Sequence, residues 1–421
     1  MLKQLEGSQG VAQAVALCRP DVVCAYPISP QTHIVENLGL LCRKGVLADC
    51  EYINVESEFA AMSVAIGASV AGGRAYTATA SQGLLYMAEA IYNAGGLGLP
   101  VVMTVANRAI GAPINIWNDH SDSMSQRDCG WIQLFAENNQ EACDLHIQAF
   151  RIAEEMSIPV MVCMDGFVLT HAFEEMDIPD QASVDAFLSP YRPRQQLDPD
   201  HPYSIGAMVG PEAFTEVRWL AERRMQEAIP VIEKTQGLFH EMFGRNSGGL
   251  FSTYRMEDAE AAVLVMGALA GTVKDAVDEM REDGARIGVV VLKSFRPFPF
   301  RALREALMSV QSVLVMERMV SAGGAGAVSL EVMKALKGLP VRQRTLIAGL
   351  GGRAVTRAAL KPYFARALAG TLEEEEIFLD LDEELVRRQL EREKASRHIG
   401  PVAEALNRHV NERKLARGEE I

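Results

Sequence analysis

None of the seven cysteines (Cys18, Cys24, Cys42, Cys50, Cys129, Cys143 and Cys163) stands at C-x-x-C spacing. The chain therefore offers no zinc ribbon, no iron–sulfur ligand run and no redox dithiol, and its thiols read as reduced core residues. If the chain serves a redox enzyme, the metal centres sit on other subunits. Basic charge is also scarce: 41 Lys and Arg against 55 Asp and Glu leave a net charge of −14, which argues against nucleic acid as a partner. The longest apolar stretch, Ala261 to Val273, falls short of the roughly 20 residues a membrane span needs, and no basic-then-apolar leader opens the chain. These absences point to a cytoplasmic protein with no membrane span. A dinucleotide fingerprint is missing too, since Gly349-Leu-Gly-Gly-Arg353 lacks the G-x-G-x-x-G pattern and reads as a tight turn.

What is present is ordinary globular composition. With 421 residues, 48% hydrophobic and 23% charged, two or three domains are expected. Short β-rich runs at 22–27, 51–55, 74–80, 100–106 and 159–165 alternate with helical stretches, which predicts an α/β fold built on a buried parallel sheet. The small-residue helix expected over 58–73 is suited to close packing against a sheet or a second subunit. From Phe173 to about Gly249 prolines accumulate, predicting a connector with one helix from Pro211 to about Met225 and a second from Val231. A second α/β unit follows, with strands expected at 261–267, 286–292, 312–317 and 344–348. From Thr371 the charge is dense, and the pairs Glu384/Arg388 and Glu393/Arg397 at i, i+4 spacing predict a helical arm.

Chemistry-bearing residues gather at the ends of the predicted strands. In Tyr26-Pro27-Ile28-Ser29-Pro30, two prolines fix the backbone so that the Ser29 hydroxyl is presented at a strand's carboxyl end, where open α/β sheets bind ligands. Glu58 opens the small-residue helix. It either complements the helix dipole or, in its apolar surroundings, waits for a ligand nitrogen. Ser81 and Gln82, in Thr79-Ala-Ser-Gln-Gly83, face a ligand's polar edge or merely cap a turn. Arg108 suits bidentate recognition of a carboxylate, or serves as an ion-pair residue. Asn118-Asp119-His120-Ser121-Asp122 matches no standard metal-ligand spacing and reads as a hydrogen-bonding loop near the site, so no metal site is expected on this chain.

Taken in order, these segments resemble the α subunit of the 2-oxoacid:ferredoxin oxidoreductases, the pyruvate:ferredoxin oxidoreductase family. The resemblance runs to about residue 370. It rests on Tyr26-Pro-Ile-Ser-Pro30, Ser57-Glu58, Thr79-Ala-Ser-Gln-Gly83, Arg108-Ala109, Asp119-His-Ser-Asp122, Asp165-Gly-Phe167, Phe295-Arg-Pro-Phe-Pro299 and Gly349-Leu-Gly-Gly-Arg353. It implies a thiamine diphosphate pyrimidine-binding domain over 1–235, a linker over 236–254, a transketolase C-terminal-like α/β domain over 255–355 and a charged helical arm over 356–421.

The resemblance also implies a reaction: oxidative decarboxylation of a 2-oxoacid to an acyl-coenzyme A and CO2. Glu58 would hydrogen-bond the aminopyrimidine, with Pro27, Ile28, Ser81 and Gln82 beside the cofactor. Arg108 would grip the substrate carboxylate next to Ser29. Thiamine diphosphate would be shared with a β subunit that holds its diphosphate and Mg²⁺, since no Gly-Asp-Gly motif is present here. The 4Fe-4S clusters would lie on partner subunits, with γ and ferredoxin-like δ subunits completing the complex and passing electrons to ferredoxin or to an NAD-linked subunit. Ser29 departs from the family's usual Tyr-Pro-Ile-Thr-Pro by one methyl, so the substrate is pyruvate or a bulkier acid, including an aromatic one such as phenylglyoxylate. If coenzyme A contacts this chain, the second domain around Glu317-Arg318 and 321–326 is where it would do so. Two other readings stand beside this one: a non-catalytic scaffold subunit of such a complex, and a self-contained thiamine enzyme.

Overall fold

The computed structural model describes residues 2–324, 326–396 and 400–418. Two sheets carry the fold. The first has seven strands: β2 (Val22–Ala25), β3 (Glu51–Asn54), β4 (Ala75–Thr79), β5 (Val102–Asn107), β6 (Ile132–Phe135), β7 (Val160–Asp165) and β12 (Ser294–Arg296). Their order is β12-β6-β7-β5-β4-β2-β3, and all pairs are parallel except β12 with β6. β4, β5 and β7 are buried along their whole length, as a parallel sheet covered on both faces requires. A small ribbon pairs β1 (Leu2–Glu6) antiparallel with β8 (Phe173–Asp177).

The second sheet contains β9 (Phe251–Tyr254), β10 (Ala261–Met266), β11 (Ile287–Leu292), β13 (Ser312–Glu317), β14 (Arg342–Ile347) and β15 (Glu376–Phe378), in the order β15-β14-β13-β10-β11-β9. β10, β11 and β13 are fully buried apolar runs. β12 lies in the chain just after β11 yet crosses to the edge of the first sheet, stitching the two together. A buried ion pair between Lys293 and Glu141 reinforces that crossing.

The connector departs from expectation in one respect. Instead of two helices broken near Pro230, a single helix spans Pro211–Phe243 with Pro230 inside it. An interior proline removes one ladder hydrogen bond at a cost of about 3 kcal/mol. Burial of Ala228, Ile232 and Phe239 on either side offsets that, at about 1.5–3 kcal/mol for each large apolar side chain.

Contacts divide the chain into a unit ending at residue 377 and a unit from 378 onward. The helix Arg357–Ala369 belongs to the larger unit, burying Leu360, Phe364 and Ala367. The smaller unit contains the helices Glu383–Ala395 and Val402–Ala416, neither of which buries a residue. The Glu384–Arg388 pair forms as the spacing predicts; Arg397, expected to pair with Glu393, lies outside the described residues. Among the described residues no helix is long and apolar enough to cross a membrane. All seven cysteines are free.

Candidate active site

Topology locates the site before any side chain is considered. The chain leaves β2 for β3 on one side and leaves β4 for β5 on the other. The switch point, where α/β sheets open a crevice at their carboxyl ends, therefore falls between β2 and β4. Gln31 spans it, its buried amide donating to the carbonyls of Ala78 (2.6 Å) and Tyr26 (3.2 Å). The proline turn is thereby tied to the end of β4.

Glu58 enters the same crevice from the first turn of the helix Glu58–Val70. Ser57 caps that helix, its Oγ accepting from the Ala60 N–H at 3.2 Å. The side chain is only 8% exposed. Among the described residues no hydrogen-bond donor reaches its carboxylate. A carboxylate so placed is costly without a partner, although the helix N-terminus favours its charge. Gly83 lets the two groups come together: a Cβ there would lie 2.6 Å from both Glu58 Oε1 and Thr79 Oγ1, too close for any other residue. The buried Thr79 hydroxyl also lacks a hydrogen-bond partner among the described residues. Two polar groups without partners among the described residues thus meet beside Gly83, hydrogen-bond acceptors suited to a ligand ring bearing N–H groups.

Arg108 follows β5. Its guanidinium donates to the carbonyls of Ser29 (2.9 Å) and Asn115 (3.4 Å) and pairs with no carboxylate among the described residues. Burial lowers its pKa from the ordinary value, and the Asp122 charge opposes that shift. The cation is held by neutral carbonyls, which leaves its charge available to an anion. Behind it, the buried Asp122 accepts from the backbone N–H of Ser81 (2.9 Å), Arg108 (3.0 Å) and Ser123 (2.7 Å) and from Asn107 Nδ2 (2.8 Å). Burial raises the Asp122 pKa, with those hydrogen bonds opposing. One carboxylate therefore sets the loops after β4 and β5 against each other. Ser81, at φ +49°, gives its hydroxyl to the Ala109 carbonyl at 2.6 Å and to Gln82.

A second buried carboxylate, on the same sheet, braces the loop and ties it to the second sheet. Asp165, at the end of β7, meets His120 Nε2 at 2.9 Å, Arg318 at 2.8 Å and the Ala268 N–H at 2.6 Å. Burial pushes its pKa up, but the charges of Arg318 and His120 outweigh this and hold it well below the carboxylate range. Gly352 donates to the Asn118 carbonyl (3.1 Å), and Asn115 donates to Gly351 (3.1 Å), so the glycine turn also grips the loop. The segment 118–122 is a hydrogen-bonded brace.

The structure thus brings Ser29 and Arg108 together and joins Ser81 and Gln82 to the Arg108 loop, while Glu58 stands with Thr79 and Gly83. Pro27 and Ser29 are exposed and Ile28 half-buried on the crevice rim. Asn107 was given no role from sequence, and Thr79, Asp122, Asp165 and Arg318 were named only within motifs, without the contacts they make. Their partners lie tens to hundreds of residues away, and the one available signal was that Asp165 ends an otherwise apolar strand.

Fold and site together define a class: a doubly wound α/β protein with a second α/β sheet and a ligand crevice at the carboxyl ends of the first. Residues 13–236 match the family described as pyruvate flavodoxin/ferredoxin oxidoreductase, thiamine diphosphate-binding, and residues 259–360 match pyruvate:ferredoxin oxidoreductase core domain II. The chain is 46% identical over 391 residues to pyruvate synthase subunit PorA of Methanosarcina barkeri, covering 91% of this chain and 97% of that one. It is 41% identical over 357 residues to ketoisovalerate oxidoreductase subunit VorA of Pyrococcus horikoshii, covering 84% and 90%. The chain belongs to the pyruvate flavodoxin/ferredoxin oxidoreductase family, a family of 2-oxoacid:ferredoxin oxidoreductase subunits.

Solved structures agree on fold. A 2-oxoglutarate:ferredoxin oxidoreductase from Magnetococcus marinus, solved with 2-oxoglutarate, coenzyme A and succinyl-CoA, superposes with a TM-score of 0.67 at 17% identity, covering 87% of this chain and 65% of that one. A split-gene transketolase superposes with a TM-score of 0.52 at 13% identity, covering 87% and 99%.

Proposed function

We propose that this chain supplies the pyrimidine side of a thiamine diphosphate site in a multi-subunit, coenzyme A-acylating 2-oxoacid oxidoreductase, with pyruvate as first substrate. The observation that carries this reading is the nearly buried Glu58 carboxylate, which no hydrogen-bond donor among the described residues reaches, beside the equally unpartnered Thr79 hydroxyl at Gly83. In this reading Glu58 accepts a hydrogen bond from the aminopyrimidine ring and so biases its proton inventory. Thiamine diphosphate, when bound, supplies the nucleophilic carbon and the electron sink. Arg108 holds the substrate carboxylate over the Ser29 turn, Pro27 and Ile28 line the rim, and Ser81 and Gln82 fix the loop beneath. Residues 1–235 then form the pyrimidine-binding domain, 236–254 the linker, 255–355 the transketolase C-terminal-like domain and 356–421 the arm.

A β subunit is assigned the diphosphate and Mg²⁺, and β and δ-type subunits the iron–sulfur clusters that pass electrons to ferredoxin or an NAD-linked acceptor. The need for a covering partner is supported by the exposed apolar side chains of Tyr26, Phe59, Tyr86, Ile114, Ile116 and Trp117, which neighbour the site residues in sequence. Among substrates, pyruvate is favoured by the pyruvate synthase relatives, and Ser29 leaves one methyl more room than threonine would. A difference of that size is worth only about 1–3 kcal/mol, so a branched or aromatic acid competes on steric grounds alone.

The test is anaerobic purification of the native complex and viologen reduction with pyruvate, 2-ketoisovalerate, 2-oxoglutarate and phenylglyoxylate, each with and without coenzyme A. Reduction that requires pyruvate and coenzyme A is expected. An intact, iron-loaded complex that reduces viologen with none of these acids overturns the reading.

A further inference from the structure

A second constellation lies away from Glu58 and Arg108. Glu6 ends β1, His33 sits in the first turn of the helix Thr32–Arg43, and His171 lies in the loop between β7 and β8. One ligand-capable atom from each lies within 4.8 Å of the other two. His33 Nδ1 meets Glu6 Oε1 at 2.6 Å, and the two imidazoles stack at 4.7 Å between centroids. Three segments far apart in sequence converge here, so helical spacing alone does not account for the cluster.

The surroundings hold these groups in place. Gly7 N–H donates to the Ala172 carbonyl and Ser8 N–H to the Thr170 carbonyl, each at 2.9 Å, which fixes the strand bearing Glu6 against the loop bearing His171. Thr170 Oγ1 accepts from the Phe167 N–H and lies 2.8 Å from His171 Nδ1. That contact orients the ring and leaves Nε2 as the free nitrogen, the arrangement by which an outer hydrogen bond prepares a metal-ligating histidine. Among the described ion pairs Glu6 has His33 alone as partner, with no lysine or arginine neutralising it.

We propose that Glu6, His33 and His171 form a binding site for a divalent first-row transition ion. Two imidazoles with one carboxylate select ions such as Zn²⁺, Co²⁺ or Fe²⁺ over Mg²⁺ and Ca²⁺, which take oxygen ligands. The ion displaces the proton that joins His33 to Glu6, and water completes its shell because His33 is half-exposed. Bonds of about 2.0–2.2 Å draw the three ligand atoms closer than they now stand, a shift within reach of imidazole rotation. The site adjoins the proline turn: a Cβ at Gly166 would lie 2.5 Å from Pro30 Cγ, and Phe167 stacks on His171 at 4.7 Å. Bound metal therefore stiffens the turn that presents Ser29. No sequence spacing announces this site, since its ligands lie at positions 6, 33 and 171.

The experiment is zinc titration of the full-length chain, thiols reduced, in competition with a chromophoric chelator, for wild type and for His33→Asn, His171→Asn and Glu6→Gln. The same cysteines are present throughout, so the difference isolates this site. The wild type is expected to bind one equivalent more than either histidine variant, or the same equivalent at least about 100-fold more tightly, exceeding the effect of losing an outer hydrogen-bond partner. Zinc is expected to raise the Tm of the wild type and not of the variants, and X-ray absorption to show two imidazoles around the ion. Equal stoichiometry and affinity across all four proteins, or a shell without imidazole, overturns the proposal. Should a histidine variant fail to fold, Glu6→Gln decides by the same comparison.

Discussion

At the scale of single residues, the two side chains that matter most to the proposed chemistry differ in how they are held. Glu58 is nearly enclosed and has no hydrogen-bond partner among the described residues, whereas Arg108 is propped by carbonyls and half open to solvent. Glu58→Gln keeps the shape and removes the charge, so turnover by the complex is expected to fall by about 10²- to 10⁴-fold while subunit assembly, measured by native mass, is retained. Near-normal turnover would sink the role. For Arg108→Ala, the loss of a charge-assisted contact of about 1.5–3 kcal/mol predicts a KM for the oxoacid raised by about 10- to 100-fold. Arg108→Lys recovers only part of this, because a point charge does not replace a planar fork. Both residues were readable in the sequence because each begins the segment after a β-run, where ligand contacts concentrate. Asp122 was readable only as part of a hydrogen-bonding loop, since its particular role rests on N–H groups from Ser81 and Arg108, which no local pattern pairs with it.

At the scale of elements, the long central strands and the helices between them followed from apolar runs and periodicity. The short strands β6 and β12 did not, being only 4 and 3 residues long. β12 is a strand only because β6 lies beside it, a tertiary fact that a three-residue pattern cannot carry. The junction of β13 with the helix Ala327–Leu336 gives a measurable pH effect. Glu317 is fully buried, with its Oε1 accepting from the Ser329 N–H at 2.6 Å, and burial pushes its pKa up from 4.5 to about 7. A raised folded pKa means stability present at low pH and lost as pH rises from about 4.5 through 7. Relative to Glu317→Gln, the wild type is therefore expected to lose about 2–3 kcal/mol between pH 5 and pH 8 in chemical denaturation. A stability gap that stays constant across that range would show that Glu317 does not titrate there.

At the scale of the whole molecule, the two sheets are joined at the candidate-site loop itself. Arg318, from the second sheet, and His120, from the site loop, share the Asp165 carboxylate at the end of β7. The second sheet was expected from its own apolar strands, but its grip on residues 115–122 was invisible, since Asp165 and Arg318 are separated by more than 150 positions in the chain. Removing one partner of a buried pair leaves the other charge uncompensated, typically at about 3–5 kcal/mol. Arg318→Ala is therefore expected to lower the stability of the larger unit by that order. Because Asp165 then loses the cation that holds it beside His120, the variant is also expected to raise the KM for the oxoacid, although Arg318 is placed in no contact with the oxoacid. Arg318→Met, which fills the volume without the charge, separates the two effects. If the brace acts through Asp165, the methionine variant remains as impaired in KM as the alanine one. A methionine variant with wild-type kinetics would show that the guanidinium serves packing alone and that the loop holds its shape without the second sheet.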